Sequence, residues 1–199
     1  MAIIPQVITE DRASGAQVID GSLKFVSGNT NYLNRTPGSA GNRRTWTWSA
    51  WFKRTDVIGS ITVFAAQQPS GSLQDSLTID ADGSFYTQFK SSSNFLCFRS
   101  SMQLRDPSAW YHVVWVLDTT QASANDRCKV WINGELVSSF STDNRSSLTQ
   151  NFEAAVNNTG SHTMGKSVHT SDPGNGMLSQ VYFVDGQALT PSDLSLIHI

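Results

Sequence analysis

The chain reads as all-β, an antiparallel sandwich of two sheets, and three observations predict this. Trp110–Asp118 (WYHVVWVLD) places Trp110, His112, Val114 and Val116 on one face and Tyr111, Val113, Trp115 and Leu117 on the other. Apolar weight on both faces at period 2 marks a strand in the middle of a covered sheet. Asn133-Gly134 separates KVWI from ELVSSF, and this dipeptide signals a hairpin because both residues tolerate the positive φ of a type I′ turn. Short strand-like runs, roughly ten to twelve of them, recur between turn formers such as Asp82-Gly83 and Asp185-Gly186.

Taken in order, residues 1–16 form an N-terminal arm, with MAII a candidate edge strand, and 17–193 form one folded domain. Ile19–Phe25 is a hairpin candidate around Asp20-Gly21. Ser27–Arg44 has the composition of a loop, with a short paired stretch at Tyr32 and Leu33. Thr45–Arg54 (TWTWSAWFKR) alternates Trp46, Trp48, Ala50 and Phe52 with Thr45, Thr47, Ser49 and Trp51, a strand with one strongly apolar face. Further strands are expected at Ser60–Gln67, Ser76–Asp82, Ser84–Lys90 and Phe95–Ser100. After the central hairpin a polar segment carries a short candidate helix at Phe152–Val156, and HTMGKS and GMLSQVYFVDG close the sheets. The predicted core holds Trp46, Trp48, Trp115 and Trp131 between the sheets. At the end, Thr190 can cap a helix, with Pro191 in its first position and Asp193 reaching back to the cap amide.

Composition narrows the function classes. Fourteen Lys plus Arg against sixteen Asp plus Glu leave a net charge of -2, which offers no general attraction for nucleic acid or an anionic membrane. No stretch is long and apolar enough to span a bilayer or serve as a signal peptide. Two cysteines, Cys97 and Cys128, lack CxxC spacing; they read as buried free thiols, with one disulfide as the alternative.

The runs TWTWSAWFKR, WYHVVWVLDTT, DRCKVWINGELV and GMLSQVYFVDGQALTPSD together resemble the laminin-G-like branch of the concanavalin-A-like jelly rolls. The likeness covers 23–193 and is greatest to versions in virion structural proteins of marine tailed phages. It implies two curved sheets with a short helix after the last strand. It also implies a non-enzymatic structural or adhesion module of a virion appendage, whose partners are other virion proteins or a cell-surface glycan, with a homo-oligomer left open. The alternative is a carbohydrate-binding module for host or environmental polysaccharide. LSLIHI (194–199) resembles the translation of a transposon end used in DNA library preparation, which implies a non-native tail.

Candidate site residues are few. Enzymes of the wider fold carry an acidic E-x-D-x-x-E strand, and Glu10, Glu135 and Glu153 do not form it, so hydrolysis by paired carboxylates is not expected. Asp75, Asp80 and Asp82 offer hard oxygen ligands for calcium but lack regular loop spacing. His162, His169 and Asp172 lie near one another without a metal-ligand pattern. Trp51 is the candidate for stacking on a sugar, and Arg54, with Arg43 and Arg44, the nearest approach to a basic rim; no residue is expected to be catalytic.

Overall fold

The computed structural model describes residues 21–28, 31–71, 74–90, 94–168 and 174–195. Among them thirteen strands form. The first seven are β1 (Leu23–Phe25), β2 (Leu33–Arg35), β3 (Thr45–Arg54), β4 (Ile61–Gln67), β5 (Gln74–Ile79), β6 (Ser84–Lys90) and β7 (Asn94–Gln103). The remainder are β8 (Tyr111–Asp118), β9 (Cys128–Ile132), β10 (Glu135–Leu136), β11 (Phe140–Asp143), β12 (His162–Met164) and β13 (Gly176–Asp185). They build two antiparallel sheets. One has the order β1-β13-β3-β8-β9-β10, the other β11-β7-β6-β5-β4-β12-β2. This is the expected jelly-roll sandwich. No helix among the described residues is long and apolar enough to cross a membrane.

The central strand behaves as its alternation predicts. Trp115 of β8 pairs with Trp48 of β3 on one side and Val130 of β9 on the other. Val113, Trp115 and Leu117 enter the inter-sheet core, while Val114 and Val116 form a second cluster on the outer face. The hairpin closes at Asn133 and Gly134, with φ of 52° and 86° as a type I′ turn requires. In the core, the Trp46 and Trp115 rings meet edge to face at 4.8 Å, and Trp48 stacks on Phe64 at 5.6 Å.

Two expectations are corrected. Trp131 is not between the sheets: it pairs with Val114 and therefore shares the outer face, half-buried against Val114, Val116 and Leu194. Phe152–Val156 is not helical, because neighbouring elements claim its backbone. Ala154 N–H donates to the Arg43 carbonyl (3.0 Å), and the buried Asp75 carboxylate accepts the N–H groups of Ala155 and Val156.

A one-turn helix, Pro191–Ser195, follows the last strand as the capping signal predicts. Asp193 Oδ2 accepts from the Thr190 N–H (2.8 Å) and hydroxyl (2.7 Å). Leu194 is 1% exposed and seals the outer face over Val114 and Val116. The expectations for the arm 1–16 and for residues 196–199 of the tail lie outside the described residues.

Replacing Trp115 by Ala removes a ring in contact with Trp46, Phe64 and Phe89. The expected loss is about 3–5 kcal/mol, the range for truncating a buried large aromatic, read as a lower urea midpoint at unchanged slope.

Candidate functional site

The edge strand β2 and its neighbour β12 are only three residues long, so the sandwich is left incompletely filled where they face β13. The register alternates side chains across β12 and β2. His162 and Met164 share a face with Phe64 and Ala66 of β4, and with Leu33 and Arg35 of β2, and that face looks toward the opposite sheet. There β13 and β3 present Phe183 beside Trp48 and Asp185 beside Trp46. The result is a cavity of about 590 Å³ with aromatic walls, Trp48, Phe64 and Phe183, and a polar rim that includes Arg35, Asn157, His162 and Asp185.

Asn157 knots the rim together. Its φ of 64° lets the chain turn back so that both backbone and side chain point into neighbouring loops. Its carbonyl accepts from Gly41 N–H (2.9 Å), and its N–H donates to His162 Nε2 (2.9 Å). Its amide Nδ2 donates to Asp185 Oδ1 (2.7 Å) and to the Asn42 carbonyl (3.1 Å). Asp185 Oδ1 also accepts the Asn42 N–H at 2.9 Å. A Cβ at Gly41 would collide with the side chains of Asn157 and Asp185, so this wall needs glycine.

His162 is fixed in one neutral tautomer. Nδ1–H donates to the Gly160 carbonyl (2.9 Å), which leaves Nε2 to accept from Asn157. Burial lowers its pKa below the ordinary histidine value and the Arg35 charge adds to this, against the Gly160 carbonyl, which favours the cation. Arg35 itself is exposed at the mouth and takes part in none of the ion pairs among the described residues. Trp48 is fully buried, and its indole N–H meets no acceptor among the described residues. Among the described residues Asp185 is the one carboxylate on the cavity lining. Hydrolysis of a glycosidic bond calls for two.

Of the residues singled out from sequence, His162 lies on the cavity rim and the others among the described residues fall elsewhere. Trp51 lies on the outer face of the six-stranded sheet, half-buried, its ring 5.1 Å from that of His112. Arg54 is 2% exposed and is no part of a rim. Its guanidinium donates to the carbonyls of Asp56, Asp80, Ala81 and Leu104, a strut under three turns. Arg43 likewise clamps the Glu153 and Ala154 carbonyls. Asp75 is buried beneath the 154–156 loop. Asp80 accepts from Ser60 (2.5 Å), Ala81 N–H (2.8 Å) and Arg99 (2.8 Å), and its pKa is lowered, first by the Ser60 hydroxyl. Asp82 caps Ser84 at 2.6 and 2.8 Å. Among the described residues no group of three His, Cys, Asp or Glu is placed to hold a metal. His169 and Asp172 lie outside the described residues. His162 apart, the cavity lining went unnoticed in the sequence because it comes from five separate segments; the positive φ at Asn157 has no local signature.

The His162 geometry generates a pH dependence. Its folded pKa lies below the unfolded value of about 6.5, so the unfolded chain binds more protons between the two. Stability is therefore full above about pH 6.5 and falls as pH drops toward the folded pKa. Chemical unfolding between pH 7.5 and 5 should show this decline in the wild type and a flatter profile in His162→Gln.

No curated protein matches the chain in sequence. Among solved structures it is similar to the heptameric SAP-like pentraxin of Limulus polyphemus, at 17% identity and a TM-score of 0.59 over 89% of this chain and 81% of that one. It is similar to the NanB sialidase of Streptococcus pneumoniae, at 12% identity and a TM-score of 0.59, over 89% of this chain and 28% of the sialidase. It is also similar to domain 4 of AbnA, a GH43 extracellular arabinanase from Geobacillus stearothermophilus solved with arabinotriose. That match has 20% identity and a TM-score of 0.58 over 88% of this chain and 71% of that one. These likenesses correct the virion reading, with its virion location and virion partners: the similar structures are a pentraxin, a sialidase and an arabinanase domain. The strand and turn motifs that suggested a phage protein are those of the shared scaffold. The profile of one family matches residues 27–195, and the chain belongs to it, the concanavalin A-like lectin/glucanases superfamily.

Proposed function

We propose that the chain is a non-catalytic carbohydrate-binding module whose ligand enters the cavity between β2, β12 and β13. One observation carries the reading: the cavity sets aromatic faces, Phe183 at 39% exposure above Trp48 and Phe64, against a ring of planar polar groups at Arg35, Asn157 and Asp185. A sugar ring has apolar C–H faces and a hydroxyl edge. It matches such a site by packing one face on an aromatic ring and directing hydroxyls to the rim. Binding ends the sequence of events, because among the described residues Asp185 has no second carboxylate beside it on the lining and two N–H donors hold one of its oxygens. Support from comparison comes from the arabinanase domain, of the same fold and solved with a bound arabinose oligosaccharide.

Electrophoresis through gels containing soluble polysaccharides, from arabinans to algal glucans, tests the reading. At least one should retard the wild-type protein. Phe183→Ala should weaken retention about three- to tenfold, as expected for one aromatic contact of 0.5–1.5 kcal/mol, and Arg35→Ala at least as much through a lost charged hydrogen bond of about 1.5–3 kcal/mol, while Trp51→Ala leaves it unchanged. Equal retention by the Phe183 and Trp51 variants would move the ligand to another face. The same polysaccharides incubated with the protein should release no reducing ends.

A further inference from the structure

A second cavity, of about 470 Å³, adjoins the first and shares Leu33, Met164 and Phe183 with it. Its own walls include Leu23, Leu178 and Val181. Leu23 and Leu178 are register partners, so Leu23 faces the opposite sheet beside a residue of the core. Yet Leu23 is 51% exposed, and Leu33 on the other sheet is 45% exposed. Both edge strands, β1 and β2, thus turn a leucine toward the inter-sheet space and leave it half open to solvent.

An irregularity in β13 shapes this end of the sandwich. Ser179 pairs with Trp51 and Tyr182 with Ser49, so Gln180 and Val181 together oppose Ala50 in a β-bulge. Gln180 holds a φ of 47°, a region that residues other than glycine rarely occupy. The extra residue reverses the alternation of the strand: Leu178 and Val181, three positions apart, both pack on the inter-sheet core. Phe183 follows on that face and walls both cavities. With regular alternation Gln180 and Tyr182 would take these places.

The two cavities differ in chemistry. The first has the polar rim of Arg35, Asn157 and Asp185. On the second, the Ser22 hydroxyl donates to Met177 Sδ (3.8 Å) and the Ser179 hydroxyl to the Gly21 carbonyl. A sugar ring placed there would set its hydroxyls against aliphatic walls, at a desolvation cost that an apolar group does not bear. We propose that the second cavity holds an aromatic group attached to the sugar in the first, so that the ligand is an aryl-substituted saccharide; this rests on the carbohydrate reading of the first cavity. A volume of about 470 Å³ suits a ring rather than a methyl or acetyl group. An aryl ring packs on Phe183 and turns its edge to the Met164 thioether, contacts with a preference that aliphatic groups lack. It also loses little freedom on binding, whereas an alkyl chain of equal volume has several rotors to freeze. Because Phe183 walls both cavities, a short link such as a glycosidic oxygen joins the two parts of the ligand.

The test is calorimetric titration of the full chain with methyl, octyl and p-nitrophenyl glycosides of arabinofuranose, xylose, glucose, galactose and mannose. For at least one sugar the p-nitrophenyl glycoside should bind about tenfold more tightly than the methyl glycoside, as one well-placed aromatic contact adds, with the octyl glycoside between them. Leu23→Asp sets a carboxylate on the half-open wall of the second cavity. It should erase the aryl advantage and leave methyl-glycoside binding as in the wild type. Leu23→Ser should reduce the advantage, and both variants should keep the wild-type circular dichroism. Methyl and aryl glycosides bound equally would overturn the proposal while the carbohydrate reading stands. So would an octyl glycoside bound more tightly than the aryl one, or an aryl advantage undiminished in the folded Leu23 variants. Binding of no glycoside overturns it too, and if no polysaccharide is retarded either, the carbohydrate reading falls with it.

Discussion

The aromatic layer sets the distance between the two sheets, and everything else is arranged around that distance. Trp46, Trp48 and Trp115 project from adjacent strands of one sheet and interlock with Phe64 and Phe89 of the other, and none of the three indoles reaches solvent. Rings this large fix the spacing wherever they stand, and close-packed interiors do not compress to suit smaller neighbours. Toward β2 and β12 the sheets keep the separation that Trp48 and Phe64 impose, and the side chains of the short strands, Leu33, Arg35, His162 and Met164, line that space without filling it. The cavity follows from the core. It is the part of the inter-sheet space that the aromatic layer opens and leaves vacant.

A second constraint is the burial of loop backbone. The long connections cross sheet ends, where carbonyls would be shut off from water without partners. Arginine resolves this three times. Arg54 binds carbonyls of Asp56, Asp80, Ala81 and Leu104; Arg127 binds those of Gln121, Ala122 and Leu148; Arg43 binds those of Glu153 and Ala154. The planar guanidinium suits the task because its donors fan out in fixed directions and serve several carbonyls at once. Asp75 performs the converse service for the amides of Ala155 and Val156. These residues look like ligand or metal candidates in a sequence because they are charged and clustered near turns. Their charge is spent on the chain itself.

The parts of the fold that were legible in the sequence are those with local periodicity. The alternation in Thr45–Arg54 and Tyr111–Asp118, the Asn133-Gly134 turn and the Thr190 cap each depend on residues a few positions apart, and the structure places each accordingly. Trp131 was misplaced because KVWI is too short for its pattern to show which face is inner; only pairing with β8 decides that. The cavity was illegible for a related reason. Leu33, Trp48, Phe64, His162 and Phe183 meet through sheet order, with β12 inserted between β2 and β4, and sheet order leaves no trace in spacing. Exposure was equally hidden, so Trp51 and Phe183 looked alike as strand aromatics, and only the second lines a cavity.

The three core tryptophans also differ in how their indole N–H groups are satisfied. Trp115 donates to the Cys128 sulfur, whereas the buried N–H groups of Trp46 and Trp48 meet no acceptor among the described residues. An unmet buried donor costs about 1–3 kcal/mol, and the fold carries that cost at both positions. At Trp46 the ring is enclosed by the core. At Trp48 it lines a cavity rimmed by Asn157, Asp185 and Arg35, beside the exposed ring of Phe183. A hydroxyl-bearing ligand there would set an apolar face on the exposed ring of Phe183 and direct hydroxyls to the polar rim of Arg35, Asn157 and Asp185. The unmet indole donor is common to Trp46 inside the core and Trp48 beside the cavity, so it is the exposed ring and the polar rim, and not the indole N–H, that favour reading the cavity as a place for a sugar.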